Sequence, residues 1–241
     1  MRTLSIVIPA YNEEPFIGTL LERIRDVDLR GMGVGSEIIV VDDCSTDRTA
    51  DIVGGFAEVT LVRQPVNGGK GRAVRTGIAR STGDYLLIQD ADLEYDPRDY
   101  PAMLELVLSG RADVVYGSRY LRRPDRGPLA NLAGGKHADQ SWTAYLGGQS
   151  LSVVTWALTG HYLTDTVTAY KLYPRPWLAS LDLKTSGFET DHEITCKALA
   201  RGLRIVEVPI RYYPRTRAEG KKIGLRDWVI ATRTLWRYRR G

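Results

Sequence analysis

Apolar positions in the first half of this 241-residue chain follow two spacings in turn. Short unbroken runs rich in Val, Ile and Leu occur at residues 4–10 (LSIVIPA), 36–45 (SEIIVVDDCS), 59–64 (VTLVRQ), 84–92 (DYLLIQDAD) and 112–120 (ADVVYGSRY). Their length and their bounding turn residues predict strands covered on both faces. Between them lie helical periods. Phe16, Ile17, Leu20, Leu21 and Ile24 mark the first. A second is expected over 47–57, capped by Ser45 or Thr46. A third opens behind glycines at 69–81, and a fourth runs over 99–110 and stops at Gly110. Such strand–helix alternation predicts a mostly parallel α/β sheet.

After Tyr120 the texture changes. Residues 121–140 are basic and rich in Gly and Pro, and read as a mobile loop. Residues 141–165 are moderately apolar and aromatic but are interrupted by Gly147-Gly148 and Gly160. GFETDHEITCKALARG (187–202) reads as a helix and RIVEVPIRYYP (204–214) as a strand. In the tail, Leu225, Trp228, Val229, Thr232, Leu235 and Trp236 form one helical stripe, with Arg226, Arg233, Arg237, Arg239 and Arg240 beside or behind it. No internal repeat is found. The expected organisation is one domain over 1–224 with a basic amphipathic helix over 225–241.

Composition narrows the class only slightly. A net charge of +4 and a pI near 9.0 suit an anionic ligand or a membrane surface without specifying either, and no nucleic-acid partner is expected. Cys44 and Cys196 form neither a disulfide framework nor a metal motif, so a reducing cytoplasm is the default. There is no signal-peptide pattern at the start and no uninterrupted apolar run of about 20 residues, so a soluble or peripheral protein is expected.

The chemistry concentrates where strands should end. Asp42 and Asp43 close one apolar run; Asp90, Asp92 and Glu94 follow another, one residue apart. In parallel α/β sheets, ligands bind at the carboxyl ends of strands. If the stretch is extended, Asp90 and Asp92 project together and Ala91 points away. Crowded carboxylates raise one another's pKa, and a divalent cation relieves that; hard oxygen ligands suit Mg²⁺ or Mn²⁺ bridged to phosphates. NGGKGRAVRTG (67–77) brings Lys70 and Arg72 to a glycine turn at a helix start, either a simple tight turn or an anion cradle.

In order, SIVIPAYNEE, VVDDCSTDRT, NGGKGRAVRTGIARSTGDYLLIQDADLEYDP, VVYGSRY and GFETDHEITCKALARGLRIVEVPIRYYPRTRAEGKKI resemble glycosyltransferase family 2, and within it the dolichol- and polyprenyl-phosphate sugar synthases. The resemblance implies an A-type glycosyltransferase fold, a Rossmann-like, mostly parallel sheet flanked by helices, with the nucleotide on its N-terminal half. It implies that Pro9, Tyr11 and Glu13 hold base and ribose, and that Asp43, with Asp42, reads the base. Asp90 and Asp92 match the metal-binding pair, Ala91 lies between them, and Lys70 joins the nucleotide set. Glu94, a third candidate ligand of the metal, stands where mannose synthases of this type often carry Gln. Arg119 matches an arginine near a phosphate, Asp165 and Lys171 line the acceptor side, and Arg215, Lys221 and Lys222 resemble a basic loop that closes over phosphates.

The expected function is inverting, metal-dependent transfer from a nucleoside-diphosphate sugar to a polyprenyl phosphate, at the cytoplasmic face of a membrane. Fixed cations and a metal would stabilise the leaving diphosphate. A phosphate acceptor is already ionised, whereas a hydroxyl needs a base. Asp191 and Glu193 are the candidates for that base, Glu189 is a third, and neighbouring His192 reads as structural. Transfer to a hydroxyl, and a non-catalytic nucleotide-sugar-binding domain, are the alternatives; a homo-oligomer stays open. Trp142, Tyr145, Leu151, Val153, Val154, Trp156 and Leu158 form either core or a second interfacial surface beside the tail helix.

Overall fold

A computed structural model describes residues 1–121, 142–214 and 224–241. Its strands are β1 (Arg2–Ala10), β2 (Val34–Asp42), β3 (Val59–Arg63), β4 (Tyr85–Ile88), β5 (Val114–Ser118), β6 (Lys171–Pro174) and β7 (Ile205–Pro209). Its α-helices are α1 (Ile17–Arg25), α2 (Thr49–Gly54), α3 (Lys70–Arg80), α4 (Tyr100–Leu108), α5 (Trp142–Thr159), α6 (Arg175–Ala179), α7 (Thr190–Ala200) and α8 (Leu225–Tyr238). The strands form one sheet in the order β3-β2-β1-β4-β6-β5-β7. All pairings are parallel except those of β6, which runs antiparallel to β4 and to β5.

Strand alternation divides the core. Leu4, Ile6, Ile8 and Leu87 face α1 and α4, where they meet Ile17, Leu20, Leu21, Tyr100 and Met103. Val7, Leu86 and Ile88 face the other way, onto Val74 and Ile78 of α3 and Ile194 of α7. Each fully buried aliphatic side chain contributes about 1.5–3 kcal/mol relative to exposure. The expected α1 stripe is the buried one: Ile17, Leu20, Leu21 and Ile24 face inward. α4 terminates at Gly110, whose φ of 69° lies in the left-handed region.

Several elements differ from expectation. Neither Ser45 nor Thr46 caps α2: Asp47 Oδ1 accepts from the Thr49 amide and hydroxyl instead. α5 runs unbroken through Gly147-Gly148. Helical glycine costs roughly 1 kcal/mol each; at Gly148 the Tyr120 hydroxyl packs close, 3.3 Å from where a Cβ would stand. β6 was not foreseen. The 121–140 loop falls, apart from Leu121, outside the described residues.

The tail stripe is split by packing. Leu235 and Ala231 of α8 are buried against Leu151 of α5 and Cys196 of α7, with Trp228, Val154 and Leu158 alongside. Trp228 Nε1 donates to Ser150 Oγ at 2.8 Å. Leu225, Val229 and Trp236 remain exposed, as do Trp142, Leu146, Val153 and Trp156 of α5. No described helix is long and apolar enough to cross a membrane.

Candidate active site

Register sets the strand ends level. Ala10 pairs with Asp42, and Val7 with Ile88, so Tyr11, Asp43 and Asp90 leave β1, β2 and β4 at one edge of the sheet. The β1–α1 and β2–α2 loops are laced together there. The Asn12 amide donates to Ser45 Oγ, Asn12 Oδ1 accepts from the Thr46 amide, the Glu13 amide donates to Thr49 Oγ1, and Glu14 and Asp47 each accept an amide hydrogen bond from the opposite loop. Pro9 is half-buried and Tyr11 is exposed beside this lacing.

Asp42 and Asp43 take separate roles. Asp42 is buried; its Oδ1 accepts from the Ser45 amide at 3.1 Å and its Oδ2 faces Arg63 Nε at 3.5 Å. Asp43 Oδ1 and Oδ2 accept from the amides of Gly68 and Gly69, each at 2.8 Å. The anion at the Gly68 and Gly69 amides is the protein's own aspartate, so of the two readings of this turn these amides follow the tight turn and not the open cradle.

Gly69 and Gly71 let that turn lie against the start of α7. Gly69 has a φ of 84°, and a Cβ on Gly71 would lie 2.0 Å from Thr190 Oγ1 and 2.7 Å from the Ser186 carbonyl carbon. The close approach delivers Lys70. Its Nζ lies 2.6 Å from Asp90 Oδ1 and 3.6 Å from Asp191 Oδ2. Burial would lower this ammonium's pKa, but Asp90, Asp191 and Asp92 outweigh burial and hold it above the usual lysine range.

Asp90 and Asp92 do not share an extended strand. β4 ends at Ile88, a turn follows, and Leu93 has a φ of 60°. Strand alternation thus does not orient the pair. Ala91 is buried in the core. The Glu94 amide donates to Asp92 Oδ1 at 3.1 Å, while Glu94 Oε2 accepts from the Tyr212 hydroxyl at 3.2 Å. Among the described residues, no three Asp, Glu, His or Cys side chains gather as a ligand cage. Two hard carboxylates suit Mg²⁺ or Mn²⁺ chemistry when phosphate oxygens complete the shell, so Asp90 and Asp92 fit a cation that arrives with a diphosphate.

The two α7 acids differ sharply. Glu193 is fully buried and accepts from the Lys184 and Thr185 amides, from Thr185 Oγ1 and from Lys197 Nζ. Burial raises its pKa, but the hydrogen bonds from Lys197 and Thr185 outweigh that and leave the carboxyl lowered. This is the geometry of an anchor for the 184–185 loop and not of a base. Asp191 instead faces Lys70. Glu189 is spent locally, accepting from the Gly187 amide at 3.1 Å.

Arg119 and Asp165 form a bidentate pair, with Nε–Oδ2 and Nη2–Oδ1 both 2.7 Å, and Asp165 is fully buried. Burial opposes the Arg119 charge, but Asp165 holds its pKa well above the usual value. Glu207, which sequence reasoning missed, accepts from the Thr164 and Asp165 amides; an acid inside the apolar run RIVEVPI was its available signal. Lys171 is buried, its Nζ donating to the Thr166 carbonyl at 3.2 Å and facing the Tyr116 ring at 4.7 Å. Burial pulls its pKa down to about 8. Arg215, Lys221 and Lys222 lie outside the described residues.

A model for "Glycosyl transferase family 2" matches residues 5–171. The chain is 32% identical to an undecaprenyl-phosphate mannosyltransferase of Micrococcus luteus, over 93% of this chain and 88% of that one. It is 30% identical to a dolichol-phosphate mannosyltransferase of Pyrococcus furiosus, over 92% of this chain and 59% of that one. It spans about half the length, 48% and 59%, of two of the curated relatives it matches. Its fold is similar to that of glucosyl-3-phosphoglycerate synthase from Mycobacterium tuberculosis, solved with Mn²⁺, UDP and product, at a TM-score of 0.69 and 23% identity over 98% of this chain and 80% of that one. The A-type glycosyltransferase fold expected from the motifs is the fold observed. By this match and these relatives, the chain belongs to glycosyltransferase family 2.

Proposed function

We propose that this protein transfers a sugar, with inversion, from a nucleoside-diphosphate donor to a polyprenyl phosphate at the cytoplasmic face of a membrane. The donor lies along the ends of β1, β2 and β4, where Tyr11, Asp43 and Asp90 converge. Asp90 and Asp92 would hold Mg²⁺ or Mn²⁺, which when bound offsets charge on the leaving diphosphate. An acceptor phosphate oxygen attacks the anomeric carbon as the bond from that carbon to the donor diphosphate breaks.

One observation carries the choice of acceptor. In the first turn of α7, Glu193 is committed to Lys184, Thr185 and Lys197, and Asp191 faces the Lys70 ammonium at 3.6 Å. That arrangement suits an acceptor oxygen that is already ionised and needs no proton removed. The names of the Micrococcus and Pyrococcus relatives support the same class. The exposed aromatic and aliphatic residues on α5 and α8, with the arginines of α8, support a peripheral membrane surface.

A second reading, transfer to a hydroxyl, draws on the position of Asp191, one lysine away from Asp90. The two readings separate in one assay. Purified protein is given UDP- and GDP-sugars with Mg²⁺ or Mn²⁺, and either a short-chain polyprenyl phosphate or hydroxyl acceptors. Glycosylation of the lipid phosphate, abolished by EDTA, is expected. Glycosylation of hydroxyl acceptors alone overturns the lipid reading. Donor turnover in neither arm leaves a nucleotide-sugar binder.

A further inference from the structure

Lys70 is a cation placed where a metal ligand is wanted. Its ammonium sits 2.6 Å from Asp90 Oδ1, within reach of a charge-assisted hydrogen bond. A second carboxylate, Asp191, lies 3.6 Å from the same nitrogen. The side chain is 13% exposed, and the Phe188 ring stands 5.6 Å from the ammonium. Around it the backbone is fixed: the Arg72 amide donates to the Ser186 carbonyl at 3.2 Å, and Gly69 and Gly71 are too close to Ser186 and Thr190 to carry a Cβ. Any movement of the charge therefore falls to the Lys70 side chain, and a shift of about an ångström would bring it onto Asp191 at ordinary hydrogen-bond distance.

We infer that Lys70 is a resident counter-cation with two seats, holding Asp90 while the site is metal-free and transferring to Asp191 when a divalent cation takes Asp90. The inference rests on the reading of Asp90 and Asp92 as the cation site. An ammonium and a divalent ion repel one another across a single carboxylate, so the two compete for Asp90. Asp191 resolves the competition by receiving the displaced charge. Lys70 remains inside the crevice, so its charge stays beside the donor diphosphate. Asp191 is then more firmly paired in the loaded site than in the empty one. Its task is to seat Lys70, which makes it a positioning residue.

The test is Mn²⁺ binding by metal-stripped protein, read from the electron paramagnetic resonance signal of free Mn²⁺, with and without UDP. Lys70→Met removes the competitor and should tighten Mn²⁺ binding by about 10-fold. Asp191→Asn removes the second seat and should weaken binding by about threefold or more in the wild-type background, but less in the Lys70→Met background. Simple loss of a negative charge predicts the reverse order, since Asp191 is unshielded once Lys70 is gone. Unchanged or weaker Mn²⁺ binding by folded Lys70→Met, checked by circular dichroism, overturns the inference. Should Lys70→Met not fold, Asp191→Asn decides alone, and binding at wild-type strength overturns it. Asp90→Asn distinguishes the underlying reading: if it leaves Mn²⁺ binding intact, or if wild type binds no Mn²⁺ in either arm, the cation site itself is wrong. If Asp90→Asn abolishes binding while Lys70→Met fails to tighten it, only the two-seat inference falls.

Discussion

His192 shows how burial decides what a titratable group does. It lies between Asp191 and Glu193 on α7, buried, with no hydrogen-bond partner for Nδ1 among the described residues. Burial, reinforced by the positive charge of Lys171, pulls its pKa down to about 3. The unfolded chain protonates this histidine near pH 6.5 while the folded protein does not, so the unfolded state binds more protons between those values. Stability should therefore fall as the pH drops through 6.5, by up to about 1.4 kcal/mol per pH unit from this residue. Urea unfolding of wild type and His192→Phe at pH 7 and pH 5 checks it: the variant should lose less stability over that interval. Its neighbours were equally ambiguous on paper. Asp191 and Glu193 look alike in TDHEIT, yet one faces a crevice lysine and the other is enclosed by Lys184, Thr185 and Lys197. That difference depends on a loop some eight residues upstream of Glu193 and on a helix that starts more than a hundred residues earlier.

Among the elements, the start of α3 matters most. Its glycines admit Ser186 and Thr190, and that contact places Lys70 between Asp90 and Asp191. Gly71→Ala should force the 186–190 segment away from α3, because its Cβ would meet backbone at 2.7 Å. The expected cost is about 1–3 kcal/mol of stability, typical of overpacking, measured as a fall in the urea midpoint. The strands of the N-terminal half were legible because continuous Val/Ile/Leu runs have few other uses. β6 was not: Lys171–Pro174 is four residues long and begins with a lysine. It is a strand because β4 and β5 leave a place between them, and antiparallel pairing at Leu87–Leu172 and Val115–Leu172 fills it. Local helix propensity predicts a break at the glycine pair of α5, whereas the Tyr120 hydroxyl that a Cβ on Gly148 would meet at 3.3 Å belongs to another segment.

For the molecule as a whole, the question is what the α5–α8 side meets. α5 carries no charged residue over its 18 positions, and it leaves Trp142, Leu146, Val153 and Trp156 exposed. α8 adds exposed Leu225, Val229 and Trp236 beside Arg226, Arg233 and Arg237. Under the proposed membrane reading, the protein should sediment with vesicles containing anionic lipid and remain in solution with neutral ones, and added salt should weaken the association. Trp156→Glu with Trp236→Glu should abolish sedimentation while circular dichroism stays unchanged. Equal sedimentation by wild type and the double variant would count against this face.

The chain alone carried the parallel strands, most of the flanking helices and the family motifs, because hydrophobic period and motif order are properties of contiguous residues. It also located the acids at the strand ends, since a buried run that stops in Asp42-Asp43 or Asp90 has to deliver them to an edge. Folding decided which partner each charge meets. Asp43 holds the Gly68 and Gly69 amides, Lys70 spans Asp90 and Asp191, Arg119 clamps Asp165, and Glu94 turns to Tyr212. Each of these contacts joins segments that are far apart in the chain, and the reach of a hydrogen bond is only about 3 Å. Partner choice at that range is set by strand register and helix approach, neither of which is written in local composition.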